Sequence, residues 1–333
     1  MSTSNASPPL LPTGGLAWLA ALVTVAIWSS FIVITRASSG HALLPLDIMW
    51  ARTVGAAMIL LPWGWWLVRQ ARARGEHKPS YLGLSPLSTR LTVRLGLPGG
   101  FLFGLLVYSG FAIAPAAHAS VLLPGSLPLW TSLIAVWWLG DRLTPGRWLS
   151  LACILAGDVL VGGASLLQAF RGEGVWRGDV LFMMGSICWS AYGVLTRKYA
   201  VSAVDATIAV VTFSFSLFIP GYLLLVLMGV LPTHLLQAPW QELLFQTIFQ
   251  GWISVVISGI TFMYMIRCFG PVRSTMITAV VPGLSALGAV AFLGEPLQWN
   301  LMLGLVMVTL GIVMGVRAPK ALTSPAPRAG GQP

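Results

Sequence analysis

The sequence predicts an all-α membrane protein of ten transmembrane helices, arranged as two inverted repeats of five helices with both termini in the cytoplasm. Three observations lead to this prediction. Apolar residues make up 56% of the 333 positions and charged residues 8%, whereas about 25% of the residues of a soluble domain are charged. The apolar residues form long unbroken blocks rather than the alternating pattern of a membrane β-barrel. Short motifs of the first half also return in the second half in the same order.

Ten apolar blocks supply the predicted helices, because each approaches the roughly 20 residues that cross a bilayer. In chain order they are residues 16–36, 46–69, 93–114, 117–139, 147–168, 176–197, 204–229, 246–267, 273–293 and 299–317. Residues 1–15 and 318–333 are rich in small residues and Pro, so both stretches are expected to be disordered tails. Residues 1–15 contain no Lys or Arg, which argues against a secretory signal peptide and predicts that the first span is retained.

The basic residues set the predicted orientation, since cytoplasmic loops carry an excess of Lys and Arg. With a cytoplasmic N-terminus, fifteen of the 19 basic residues fall on the inner side. Only Arg36, Arg171 and Arg177 fall on the outer side, and Arg52 lies inside a span. The net charge of +10 is therefore spread over short loops. It does not form the single basic face that a nucleic-acid partner requires, so no nucleic-acid partner is expected.

Recurring motifs divide the chain into two halves. Residues 28–36 (WSSFIVITR) return as residues 189–197 (WSAYGVLTR). Leu-Gly-Asp at residues 139–141 returns as Leu-Gly-Glu at residues 293–295. Each half holds five predicted spans, and an odd number of spans forces the second half to insert in the opposite orientation. Such inverted repeats are typical of secondary transporters, whose substrate site lies near the bilayer midplane between the halves.

These motifs resemble the EamA domain of the drug/metabolite transporter superfamily. The resemblance rests on the aromatic-Ser-small-aromatic signature that begins at Trp28 and Trp189, and on a Pro-containing fourth span that ends in Leu-Gly-acid in each half. Gly157 and Gly311 in the closing spans fit the same pattern. The resemblance implies a ten-helix exporter of small metabolites, most similar to the bacterial aromatic amino-acid exporters. The two domains are expected at residues 16–168 and 176–317.

Prolines inside the spans indicate where a transport path runs, because each removes a helical hydrogen bond and frees a carbonyl. The predicted hinges are Pro124, Pro128 and Pro282. Hydroxyl and aromatic side chains surround them at helical spacing. The predicted cavity residues are Trp28, Ser29, Tyr108, Ser120, Thr131, Trp189, Ser190, Ser254, Ser258, Thr278 and Ser285. Two alternatives stay open: the hydroxyls bond to their own helix backbones, and the prolines and rings only shape helix packing.

Two charges inside predicted spans are functional suspects, because an ionised side chain is costly in a bilayer. Asp158 lies deepest and is either a proton site or a protonated group in helix packing. The apolar Ile312 stands at the matching point of the second half, which favours packing. Arg52 lies a turn or so beyond Asp47. It is expected to form a structural pair or to reach towards the interface, with substrate binding as the alternative.

The sequence offers no motif for metal, cofactor or catalytic chemistry. Cys153, Cys188 and Cys268 are isolated within apolar blocks, and no phosphate-binding loop or metal-ligand spacing occurs. We therefore expect no metal, no cofactor, no enzyme activity and no direct use of ATP.

The predicted function is secondary transport by alternating access, with export of small amphipathic metabolites and aromatic amino acids as the leading candidates. A multidrug or organic-cation exporter of the same fold is the alternative, and a membrane enzyme or channel is a remote one. The expected partners are a small-molecule substrate and the lipid bilayer. Gly311 and Gly315 leave a homodimer open, although a monomer is the simpler expectation. Sixteen Arg against three Lys suggest a bacterial inner membrane.

Overall fold

The computed structural model describes residues 15–38, 42–76, 79–169, 174–296 and 298–317, and both predicted tails lie almost wholly outside this part of the chain. The described residues are helical, and they contain no β-strand beyond isolated bridges. In chain order the helices are α1 (Gly15–Ser38), α2 (Pro45–Ala73), α3 (Thr89–Phe111), α4 (Ala116–Leu139), α5 (Pro145–Ala169), α6 (Val175–Lys198), α7 (Ala203–Leu227), α8 (Trp240–Phe269), α9 (Pro271–Leu293) and α10 (Trp299–Arg317).

Seven of these helices are long and apolar enough to cross a membrane: α1, α3, α4, α6, α7, α8 and α9. Within α10, the stretch Trp299–Gly315 is a shorter apolar helix. The all-helical, multi-pass membrane architecture agrees with the sequence-based prediction. The seven do not include α2, which carries Asp47, Arg52, Arg69 and Arg72 along its length.

Irregular turns interrupt the third and fourth helices of each half. Wide π-helical segments occur in α3 at Leu97–Leu102 and in α8 at Thr247–Ile257. In α4 a π-helical turn at Val121–Gly125 contains Pro124, and in α9 a tight 3-10 turn at Thr278–Val280 precedes Pro282. Such turns leave backbone groups outside the regular ladder, and they often mark functional positions. The two halves therefore break their helices at matching places.

Both Leu-Gly-acid motifs end their helices in the same way. Gly140 after α4 has φ 70° and Gly294 after α9 has φ 64°. This left-handed conformation is readily adopted by glycine and ends a helix sharply. The acid that follows, Asp141 or Glu295, is consequently placed just beyond the end of its helix.

The closing helices of the two halves pack closely against each other. A Cβ atom added at Gly157 of α5 would lie 2.6 Å from the Gly304 oxygen of α10. The Ser150 hydroxyl of α5 donates a 2.5 Å hydrogen bond to the Gly311 carbonyl. Gly315 faces Ser150 as well. Gly311 and Gly315, which the sequence left open as a dimer face, thus contact α5 of the same chain.

This contact predicts that Gly157→Ala destabilises the protein. The added methyl would also lie 2.7 Å from Val308 Cγ2, and such overpacking costs about 1–3 kcal/mol. Gly221→Ala in α7 is the matched control, because nothing lies within 4 Å of its added Cβ. We expect thermal unfolding of the purified protein in detergent to begin at a lower temperature for Gly157→Ala than for Gly221→Ala. Equal melting temperatures would contradict the prediction, because they would show that α5 and α10 can move apart with no loss of stability.

Candidate functional site

A central cavity lies between helices of both halves, with about 480 Å³ of space not filled by atoms among its lining residues, including space open to solvent. Seven helices contribute to its wall: α1, α2, α3, α4, α6, α8 and α9. The lining residues are Trp28, Phe31, Ile32, Arg52, Phe103, Leu123, Pro124, Leu127, Trp189, Ser254, Ser258 and Val281.

A second cavity of about 570 Å³ adjoins the first on the side of α7. Arg52, Phe103, Trp189 and Ser254 line both cavities and form the boundary between them. The second cavity is lined further by small residues of α3 and α7, among them Gly100. We refer to the two spaces together as the central cavity.

The two matched tryptophans meet at this cavity. The ring centroids of Trp28 and Trp189 lie 5.9 Å apart in an edge-to-face arrangement. The Trp28 indole N–H donates to the Ser258 hydroxyl at 3.3 Å. The indole nitrogen of Trp189 is buried and has no acceptor among the described residues, and this ring packs 4.8 Å from that of Phe103. The repeat therefore supplies an aromatic wall with one satisfied and one unsatisfied donor.

Arg52 is the only charged residue among the described residues that line the central cavity. Its Nη1 donates to the Ser254 hydroxyl at 3.0 Å, and its guanidinium lies 5.4 Å from the centre of the Phe31 ring. No carboxylate of the described part of the chain forms an ion pair with it. The cavity thus contains a positive charge without a negative partner.

Five of the fourteen residues that the sequence predicted for the site line the cavity: Trp28, Pro124, Trp189, Ser254 and Ser258. The other nine lie in the surrounding helix contacts. The hydroxyls of four of them bond to carbonyls of their own helices: Ser29, Ser120, Thr278 and Ser285. Pro128 and Pro282 are buried near the cavity wall.

The remaining predicted residues form side-chain links between helices. Thr131 of α4 donates to Ser190 of α6 at 3.1 Å, which joins the two halves. The Tyr108 hydroxyl donates to Gln250 at 3.0 Å, and the Gln250 amide donates to Thr35 at 2.9 Å. These polar groups are fully paired within the bundle, so they hold the helices around the cavity.

Sequence reasoning left several lining residues out of the predicted set, above all Arg52, Phe31 and Phe103. Phe31 lies three positions after Trp28 and therefore on the same helix face, a signal that the sequence contains. Arg52 was identified as a suspect charge that forms a structural pair or reaches towards the interface, but the nearby Asp47 carboxylate is engaged elsewhere. Asp47 accepts hydrogen bonds from Tyr222, Thr233 and the His234 backbone N–H.

One end of the bundle is held by Glu295, and we call it the Glu295 end. The Glu295 carboxylate accepts the backbone N–H groups of Ala116 and Ala117, which begin α4, at 3.0 and 2.9 Å. Arg36 at the end of α1 lies 3.5 Å from the same carboxylate and donates to the Phe111 carbonyl of α3 at 3.0 Å. The ends of α1, α3 and α9 and the start of α4 are thereby joined.

The opposite end of α4 carries the matching ion pair, and we call it the Asp141 end. Arg197 at the end of α6 donates to the Asp141 carboxylate at 2.9 Å. Arg36 and Arg197 are repeat-related, as are Asp141 and Glu295. The carboxyl ends of α1 and α6 therefore lie at opposite ends of α4, which spans 24 residues, or about 36 Å at 1.5 Å per residue.

The Glu295 end contains additional links. The Asp47 network described above joins the start of α2 to α7 and to the loop that follows α7. Gln246 of α8 donates to Ser38 at the end of α1 at 2.6 Å. His118 of α4 lies 3.0 Å from Asp179 of α6. The starts of α2, α4 and α6 and the end of α1 are thus held by side-chain links at this end, whereas among the described residues the Asp141 carboxylate accepts from Arg197 alone.

Asp158 lies away from the central cavity. Its side chain is 3% exposed in α5, and neither carboxylate oxygen has a hydrogen-bond partner among the described residues. The neighbouring Gly157 contacts α10. Asp158 therefore lies in the region where the closing helices α5 and α10 pack against each other.

The sequence matches the EamA-like transporter family over residues 15–163 and again over residues 176–317. An uncharacterized transporter of Bacillus subtilis (strain 168), YyaM, is 23% identical over 232 residues, which cover 68% of this chain and 73% of that protein. The solute carrier family 35 member F6 of Rattus norvegicus is 33% identical over 88 residues. That alignment covers 25% of this chain and 24% of the rat protein.

A solved crystal structure shares the fold. It superposes with a TM-score of 0.56 at 22% sequence identity, over 90% of this chain and 96% of the other.

The two ion pairs differ in their surroundings, and this predicts unequal effects on stability. The Glu295 side chain is 14% exposed and that of Asp141 is 27% exposed. We expect Glu295→Gln to cost about 1–2 kcal/mol, because it removes a charged cap from α4. Asp141→Asn should cost less than about 1 kcal/mol, as exposed pairs do. Thermal unfolding of the two isosteric variants checks this, and a larger loss in Asp141→Asn would contradict it.

Proposed function

The chain belongs to the EamA-like transporter family, and we propose that it is a secondary transporter that exports small amphipathic metabolites by alternating access. Aromatic amino acids are the leading substrates. The proposal places the protein in a bacterial inner membrane as ten transmembrane helices, with both termini in the cytoplasm. A monomer suffices, because the cavity and both ion pairs form within one chain.

One observation carries the proposal: a cavity between the two halves has a repeat-related ion pair at each end. Each pair joins the first helix of one half to the end of the fourth helix of the other half. Opening either end therefore breaks one pair while the other stays intact. This is the arrangement that rocking of one repeat against the other needs around a fixed site.

The asymmetry of the ends supports export. The Glu295 end is closed by several buried links, whereas the links described at the Asp141 end are the partly exposed Arg197–Asp141 pair and the exposed Arg94–Tyr199 hydrogen bond. Under the proposed topology the Asp141 end faces the cytoplasm. The conformation is thus nearer to opening inward, where an exporter loads its substrate.

The helix breaks supply the hinges for this motion. Pro124 lines the cavity at the π-helical turn of α4, and Pro282 follows the 3-10 turn of α9. A Cβ added at Gly125 would lie 3.5 Å from Pro282 Cγ, so the two hinge regions contact each other. We propose that α4 and α9 bend at these turns when an end opens.

Counterflow in proteoliposomes tests the proposal. Liposomes that contain the purified full chain are loaded with one unlabelled metabolite at a time, and uptake of external radiolabelled phenylalanine is followed. We expect saturable uptake that requires an internal aromatic amino acid. Uptake that does not saturate would indicate a channel, and the absence of exchange for every metabolite tried would overturn the transport proposal.

Cross-linking at either end is expected to stop this exchange, because each ion pair must separate in every cycle. Cysteines replace Arg36 and Glu295 in one variant and Arg197 and Asp141 in another, in a background without the three native cysteines. A thiol cross-linker should abolish counterflow in both variants and spare the four single-cysteine controls. Continued exchange with either end locked contradicts alternating access through these ends.

Asp158→Asn is expected to transport at close to the wild-type rate with the same pH dependence. The carboxyl lies outside the central cavity in α5, and its second-half match is the apolar Ile312. Asp158→Leu places an apolar side chain there, as Ile312 does in the second half, and this variant should also support transport. If Asp158→Asn abolishes proton-driven accumulation but keeps counterflow, the residue is a coupling site after all.

A further inference from the structure

We propose that Arg52 is the carboxylate-binding residue of the central cavity, and that the substrates are compounds that join a carboxylate to a flat apolar body. This inference rests on the proposed transport function and names the chemical class that the cavity accepts. It goes beyond aromatic amino acids, because it assigns recognition to the carboxylate and none to an ammonium group.

The Arg52 charge has no anionic partner in the described part of the chain. A guanidinium has five N–H donors. Arg52 Nη1 donates to the Ser254 hydroxyl, and the buried Tyr108 hydroxyl also lies beside the guanidinium, but both of these oxygens are uncharged. The Phe31 ring adds a cation–π contact at 5.4 Å. An arginine inside a membrane protein is expensive unless an anion neutralises it. The missing anion must therefore come from a molecule that enters the cavity.

Arg52 also lies where an entering ligand can reach it. Its side chain lines both parts of the central cavity, which adjoin at this residue. Of its three guanidinium nitrogens, Nη1 binds Ser254. The planar fork leaves further N–H groups for a carboxylate, and arginine binds carboxylates with two parallel hydrogen bonds. The indole N–H of Trp189 is a further donor without an acceptor in the described part of this wall.

The rest of the wall defines the body of the ligand. Trp28, Phe31, Phe103 and Trp189 present aromatic rings to the cavity. Such rings favour flat apolar groups through stacking. The serine hydroxyls in the same wall are already bonded to Arg52 and Trp28.

No carboxylate appears among the described residues of the lining, and this makes the inference specific. A substrate ammonium group would find no ionic partner there and would lie in the field of Arg52. A carboxylate would find one whether or not the molecule also carries an amine. The cavity should therefore bind 3-phenylpropionate at least as well as phenylalanine, and it should reject phenethylamine.

Equilibrium binding to the detergent-purified full chain tests this order. Radiolabelled 3-phenylpropionate is the probe, and the competitors are phenylalanine, phenylalaninamide and phenethylamine. We expect phenylalanine to compete at least about tenfold better than the amide or the amine, since a charged hydrogen bond contributes about 1.5–3 kcal/mol. Equal competition by the acid and its amide would overturn the inference, and so would failure of the probe to bind.

Variants of α2 assign the effect to Arg52. Arg52→Gln should lose at least about tenfold in affinity for 3-phenylpropionate and no longer distinguish phenylalanine from its amide. Arg52→Lys should retain part of the preference, because it keeps the charge but not the planar fork. The matched control is Arg69→Gln on the same helix, where Arg69 stacks on Trp65 outside the cavity. A preference that persists in Arg52→Gln would exclude the assignment.

Two further measurements distinguish carboxylate binding at Arg52 from chloride binding there, and the role of Arg52 from the transport proposal. Binding is repeated with chloride replaced by methanesulfonate, and an unchanged or higher affinity is expected, because chloride can only compete with a carboxylate for the Arg52 charge. A loss of binding without chloride would show that the site requires chloride and would overturn the inference. Counterflow is measured in parallel with the same compounds. Exchange without acid-over-amide preference would leave the transporter intact and refute the role of Arg52. A preference for the acid over the amide in binding, without any exchange, would support the role of Arg52 and contradict the transport proposal.

Discussion

A charge within the hydrocarbon core must find its partner inside the protein, because lipid supplies none. The described structure follows this constraint at Asp47 and Glu295. Asp47 is fully buried and accepts four hydrogen bonds, and Glu295 accepts two helix N–H groups beside Arg36. Such pairing fixes which helix ends meet, and thereby the closed form of one end of the bundle. Two side chains of the described part depart from the rule: Asp158, which is buried between the closing helices without a partner, and Arg52, which faces the cavity. Because Arg52 faces the cavity, its missing anion is to be sought there.

The repeated sequence gives rise to paired contacts with unequal strength. Each Leu-Gly-acid motif ends a helix with a left-handed glycine and presents an acid to the arginine of the other half. Only Glu295 also caps a helix, with N–H bonds at 3.0 and 2.9 Å. Equivalent residues therefore occupy equivalent places, while the free energy needed to open the two ends differs. Such an inequality shifts the balance between the two closed forms, whereas the direction of net flux follows from the concentration gradients.

Much of the fold could be predicted from sequence because apolar block length and motif order are local properties. Trp28 and Trp189 were found for the same reason: their motif marks matching positions in two helices. Hydroxyls such as Ser120 and Ser285 were harder to place, since helical spacing gives the face of a helix and not its depth or neighbours. Both bond to their own backbones. The partner of Asp47 lies 175 positions away at Tyr222, so the isolation of Arg52 emerged only when the chain was folded.

The crossed pairing of arginine and acid has an evolutionary consequence. Each half contributes one arginine and one acid, and no half closes an end alone. Two copies of a single five-helix unit, inserted in opposite directions, would already form both closures from one gene. In that ancestor every substitution at the acid would alter both closures together. Fusion into one chain removes this coupling, so that selection can strengthen the closure at Glu295 and leave that at Asp141 weak, and single amino-acid changes can then set which closed form the carrier prefers.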